Sequence, residues 1–95
     1  MAIMNKEVAL IYAALNGDIE CLRALLDAWA NVDAKKDRRS IVLILAAYHG
    51  LNEHVIALLE AKASVDAKNK ADDTALILAA YHGHIECMRA LLENG

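Results

Sequence analysis

The sequence predicts an all-α solenoid, three stacked helix–turn–helix units forming one domain over residues 1–95. Three observations carry that expectation. Landmarks recur every 33 residues: Gly17, Gly50 and Gly83; Ala13-Ala14, Ala46-Ala47 and Ala79-Ala80; Leu25-Leu26, Leu58-Leu59 and Leu91-Leu92. The stretch Leu43 to Gly50 returns unchanged as Leu76 to Gly83. Each glycine also stands between two short apolar stripes of helical period.

The units run near 1–36, 37–69 and 70–95. The first contains the apolar run Val8 to Leu15, behind Lys6 and Glu7. Eight residues are too few to cross a bilayer. The run also falls in register with two later segments, so it reads as structure rather than a secretion signal. In the last unit Leu76, Ala79 and Ala80 form a small-residue stripe that permits close helix approach. After Gly83, Ile85, Met88, Leu91 and Leu92 form a second stripe, with Glu86 and Arg89 on the opposite face. The glycine suits the tight turn, because positive φ is cheap only without a Cβ. Val32-Asp33-Ala34-Lys35 returns as Val65-Asp66-Ala67-Lys68, and Lys68 to Asp73 reads as a polar turn between units. A single unit is too thin to bury its own apolar face, so stability comes from stacking.

Composition narrows the function classes. Apolar types make up 58% of the chain and charged types 24%, which excludes a disordered tail. Ten Lys plus Arg against 13 Asp plus Glu give a net charge of −3, which argues against a nucleic-acid binder. Cys21 and Cys87 are too few for a disulfide scaffold, and their equivalent places two units apart separate them by about 20 Å. They read as buried thiols in a reducing, cytoplasmic setting.

Thr74-Ala75-Leu76-Ile77-Leu78-Ala79-Ala80, Gly83-His84-Ile85-Glu86, Ala30-Asn31-Val32-Asp33 and Ala63-Ser64-Val65-Asp66 together resemble the ankyrin-repeat family. The resemblance covers almost the whole chain and implies an ankyrin-type solenoid that binds other proteins. The departures are specific. Ala9, Val42 and Ala75 stand at the family's proline, and Ile11, Ile44 and Ile77 at its histidine. Apolar packing is therefore expected to replace the hydrogen bonds that tie neighbouring units in the family. Arg39 and Asp72 stand at a turn glycine, and Trp29 and Lys62 at the glycine that ends the second helix. A side chain in the left-handed region costs about 1–2 kcal/mol, so the first finger is expected to depart from family geometry.

The resemblance places contact residues after each alanine pair: Leu15-Asn16, Tyr48-His49 and Tyr81-His82. Tyr48, His49, Tyr81 and His82 form the expected binding ladder, since tyrosine brings contact area at low entropic cost. The tips around Asp37, Arg38, Lys70 and Ala71 stand beside it. Lys35-Lys36-Asp37-Arg38-Arg39 reads either as a solvated turn or as a patch for an acidic partner. Trp29 reads either as an interface anchor or as a cover for an apolar gap. His82, His84 and Cys87 fall short of a convergent zinc set, and neither Ser40 nor Ser64 sits in a recognisable nucleophile motif. No metal, cofactor or small-molecule substrate is expected, and no enzymatic activity.

Solenoids also need polar end units. Here Ile3, Ile11, Tyr12, Ile41, Val42 and Ile56 add apolar character, and Leu91-Leu92 are followed by no polar cap. The corresponding expectation is self-association, in its simplest form a two-fold homodimer. Near-identical repeats without proline fit an engineered array or a recent duplication, and assembly could then be the whole function.

Overall fold

A computed structural model describes Tyr12, Leu15, Asn16 and residues 19–30 and 38–94. Five α-helices fall within them: α1 Ile19–Ala28, α2 Arg39–His49, α3 Asn52–Glu60, α4 Ala75–Tyr81 and α5 Ile85–Asn94. No strand occurs among the described residues. Helices α2 and α3 make one hairpin and α4 and α5 the next. Between units α2 packs on α4, while α1 packs on α3 and α3 on α5. The result is two stacked rows of helices with the core between them.

The apolar stripes supply that core. Leu22, Leu43, Leu58, Val42, Val55 and Cys87 are its largest fully buried side chains. Each fully buried Leu is worth roughly 1.5–3 kcal/mol relative to exposure. Ala46 and Ala47 are also fully buried, as close approach of neighbouring helices demands.

Turn chemistry explains the ends. Gly50 and Gly83 sit at φ 72° and 71°. After α2, Gly50 donates its N–H to Ala47 and Leu51 donates to Ala46; after α4, Gly83 and His84 repeat the pattern with Ala80 and Ala79. Lys62 takes the same left-handed place after α3 at φ 70°, and Asp72 holds φ 68° in the turn before α4.

The other two turn departures resolve differently. Trp29 keeps negative φ, and Ala30 donates to Asp27 where the equivalent Ala63 reaches back to Leu58. Arg39 is not a turn residue: it opens α2, which starts three residues earlier in the repeat than α4. Thr74 caps α4, its Oγ1 accepting from the N–H of Ile77 at 3.3 Å. Ile41, the equivalent residue, has no oxygen to stop a helix there. The helix therefore runs on through Ser40 to Arg39, and the left-handed strain is avoided.

Burial departs from expectation at Val42 and Cys21, and it bears on the two open readings of Trp29. Val42 is fully buried and Trp29 is only 7% exposed, both within the core cluster. Cys21 is exposed rather than buried, although Cys87 is buried as expected. Both thiols are free.

Candidate protein-interaction site

The site is built where α2 and α4 meet the turn between the second and third units. Asn69 shapes that turn. Its Oδ1 accepts from the backbone N–H groups of Ala71 and Asp73, both at 2.9 Å. The Asn69 N–H donates to the Asp73 carbonyl, and the Asp72 N–H donates back to the Asn69 carbonyl, each at 3.0 Å. This closed Asx turn leaves Lys70 and Ala71 exposed at its tip. Lys68 pairs with Asp72 at 3.6 Å, but both are exposed, so the pair is weak.

Against the turn lies a groove of about 610 Å³ lined by Ile41, Leu45, Tyr48 and Leu78, with Lys68 and Lys70 at its edge. A second depression, of about 440 Å³, lies between Tyr12, Leu15, Asn16, Leu45, His49 and Leu51. Tyr48 and His49 thus border successive hollows along the first-helix row.

The Tyr-His residues interlock across units. The Tyr48 ring meets His82 edge-on with centroids 4.6 Å apart, and meets His49 at 4.9 Å. Tyr81 meets His82 at 5.1 Å and stands 81% exposed. His84 stacks beside His82 and donates from Nε2 to the Tyr48 carbonyl at 3.0 Å. The carbonyl can only accept, so Nε2 carries the proton.

Polar ties thus join the units despite the isoleucines at the family's histidine. Beside His84, the Cys87 thiol donates to Asn52 Oδ1 at 3.0 Å. Burial, with Glu86 nearby, holds that thiol above its ordinary pKa. Arg39 supplies the tie between the first and second units. Its Nη2 donates to the Trp29 carbonyl at 2.9 Å and its Nη1 to the Ala61 carbonyl at 2.6 Å.

Arg39 is therefore drawn out of the basic tip and into the interior, leaving Arg38 exposed. Asp37, Lys35 and Lys36 lie outside the described residues, as do Ile3 and Ile11. Tyr12, Ile41 and Ile56 are exposed, whereas Val42 is buried and has no surface to offer a second copy. No three His, Cys, Asp or Glu side chains converge on a metal position among the described residues. No helix among them is long and apolar enough to cross a membrane. Sequence reasoning missed Leu45, Lys68 and Leu78; Asn69, a turn-forming residue two places before Ala71, was the available signal.

Stacked helix hairpins with an apolar groove under a turn define a helical repeat protein. A family model for ankyrin repeats, in three copies, matches residues 10–95, and the chain belongs to that family. No curated protein and no solved structure matched. Ankyrin repeats are generally non-enzymatic protein–protein interaction modules.

Proposed function

We propose that the chain is a scaffold that captures a protein segment in the groove between α2, α4 and the Lys68–Asp73 turn. The observation that carries this reading is the juxtaposition of an apolar floor, Ile41, Leu45 and Leu78, with Tyr48 and two exposed lysines. An apolar anchor would desolvate on the floor, and an adjacent carboxylate would meet Lys68 and Lys70. Charge of that kind at a rim sets specificity and association rate more than affinity. His49 and His82 flank Tyr48 and extend the contact face, with Tyr81 and Ala71 at its margins. Trp29 is buried, which favours its reading as a cover for the altered turn. A chain with only Cys21 and Cys87 fits a reducing compartment such as the cytoplasm.

Selection from a random peptide library displayed on phage tests this reading. Selected peptides should share an apolar or aromatic residue next to Asp or Glu. Tyr48→Ala should weaken them at least tenfold, about 1.4 kcal/mol. Lys70→Glu should slow association and remove its salt dependence. Peptides without acidic residues, or equal binding by Tyr48→Ala, would overturn the proposal.

A further inference from the structure

The two hollows on the first-helix row are one feature repeated at the interval of the units. Leu45, Tyr48 and Leu78 line the larger; Tyr12, Leu15 and Leu45, each 33 positions earlier, line the smaller. Leu45 thus serves both. Tyr48 borders the larger hollow and His49 the smaller, and their rings meet edge-on at 4.9 Å, forming the ridge between. The edges differ in charge. Lys68 and Lys70, both exposed, stand at the larger hollow, whereas Asn16 and His49 edge the smaller. Lys68 is held only by its exposed pair with Asp72, which a partner's carboxylate can replace. The complementary segment therefore carries its acid beside one of two apolar anchors.

The pitch of the hollows selects the backbone of that segment. Packed helices lie about 8–10 Å apart, so the occupant must set two side chains on one face at that distance. A β-strand repeats a face at about 6.7 Å and about 13.4 Å, which brackets the pitch without meeting it. A polyproline II helix has three residues per turn and a rise of about 3.1 Å, so it repeats a face at about 9.3 Å. An α-helix comes close at about 10.5 Å, between i and i+7, but its intervening turn then lies on the ridge. Tyr48 is 44% exposed and His49 is exposed as well, so that ridge holds a rod about 10 Å across off both hollows. A polyproline II backbone is thinner, and aromatic-lined grooves suit its pyrrolidine rings.

We propose that the captured segment is a polyproline II stretch whose apolar side chains, three residues apart, seat one in each hollow, with a carboxylate beside the anchor at Lys68 and Lys70. This rests on the groove reading above and adds the ligand's conformation, register and second anchor. Residues between the anchors, proline among them, pack on Tyr48 and His49. A segment already in this conformation loses little freedom on binding, which suits an open, shallow surface.

Fluorescence anisotropy with labelled synthetic peptides tests it. The reference is a proline-rich peptide with one leucine next to a glutamate. A second leucine three residues from the first should tighten binding at least about tenfold. Placed two or four residues away, it should change binding by less than about twofold. Tyr12 is 54% exposed and lines only the smaller hollow. Tyr12→Ala, checked for helicity by circular dichroism, should erase the tenfold gain and leave the one-leucine peptide unchanged. Tyr48→Ala should weaken both peptides. A gain at the wrong spacing, a gain that survives Tyr12→Ala, or tighter binding by a helical peptide with leucines seven apart overturns the proposal. If the one-leucine peptide binds through Tyr48 and the second leucine adds nothing, this inference alone fails; if no peptide binds, the groove reading falls with it.

Discussion

Arg39 spans two helix ends, its Nη2 bound to the Trp29 carbonyl at 2.9 Å while Nη1 reaches Ala61. Trp29 follows α1 and Ala61 follows α3, so the cation sits at the negative ends of two helix dipoles. Its place at the start of α2 is unfavourable for a cation, but that effect is smaller than two charge-assisted hydrogen bonds, one buried and one part-buried. Arg39→Ala should cost about 3 kcal/mol, since it leaves two carbonyls without this donor. Arg39→Lys should recover part of the loss, because an ammonium lacks the planar fork. Thermal unfolding should rank wild type, Lys and Ala in that order; equal midpoints for Lys and Ala would discard the bridging role.

Gly50 and Gly83 share a backbone conformation but not a neighbourhood. A Cβ on Gly50 would lie 2.6 Å from Nδ1 of His84, whereas one on Gly83 meets nothing within 4 Å. Gly83→Ala should therefore cost only the left-handed strain, about 1–2 kcal/mol. Gly50→Ala should cost more, because it also displaces the His84 ring from the Tyr48 carbonyl. Urea midpoints of the two variants give the comparison. If Gly83→Ala proved the more damaging, the close packing of His84 on Gly50 would be wrong.

The repeat period, the glycine turns and the paired alanines were legible because they are local and recur. Burial was less legible, since in a stack it depends on whether a neighbour is present. Cys21 and Cys87 sit in nearly the same local sequence, yet one is exposed and the other buried. Arg39 aligned with a turn glycine, and only the missing cap at Ile41 signalled that the helix would run through it. In the candidate site, Tyr48 and His82 could be read from the sequence. The groove beside them could not, because it needs the turn closed by Asn69 to bring Lys68 and Lys70 over Leu45 and Leu78.

Lys62 occupies the left-handed position after α3 at φ 70°, a place that favours glycine. Lys62→Gly should stabilise the chain by about 0.5–1 kcal/mol, the relief of strain exceeding the added entropy of the unfolded state. Trp29→Gly, at the equivalent position, should destabilise it by about 3–5 kcal/mol, because Trp29 keeps negative φ and fills the core. Opposite signs at equivalent positions would be read directly from denaturation midpoints. A loss of stability in Lys62→Gly would show that the turn is not strained.

The two thiols should behave as different chemical groups. Cys21 is exposed and should react with a disulfide reagent in the native chain. Cys87 is buried with its thiol hydrogen-bonded to Asn52, so it should react only on opening or unfolding. Burial, reinforced by Glu86, raises the folded pKa of Cys87 above its unfolded value. At neutral pH both states hold the proton, and the shift costs no stability. As pH rises past the ordinary thiol pKa, the unfolded chain ionises first, so stability falls through the window up to the raised folded value. Cys87→Ala should be less stable than wild type at pH 7 but should lose less on going to about pH 9.5. Equal loss in both chains, or two equally fast thiols in the native state, would contradict the buried, neutral Cys87.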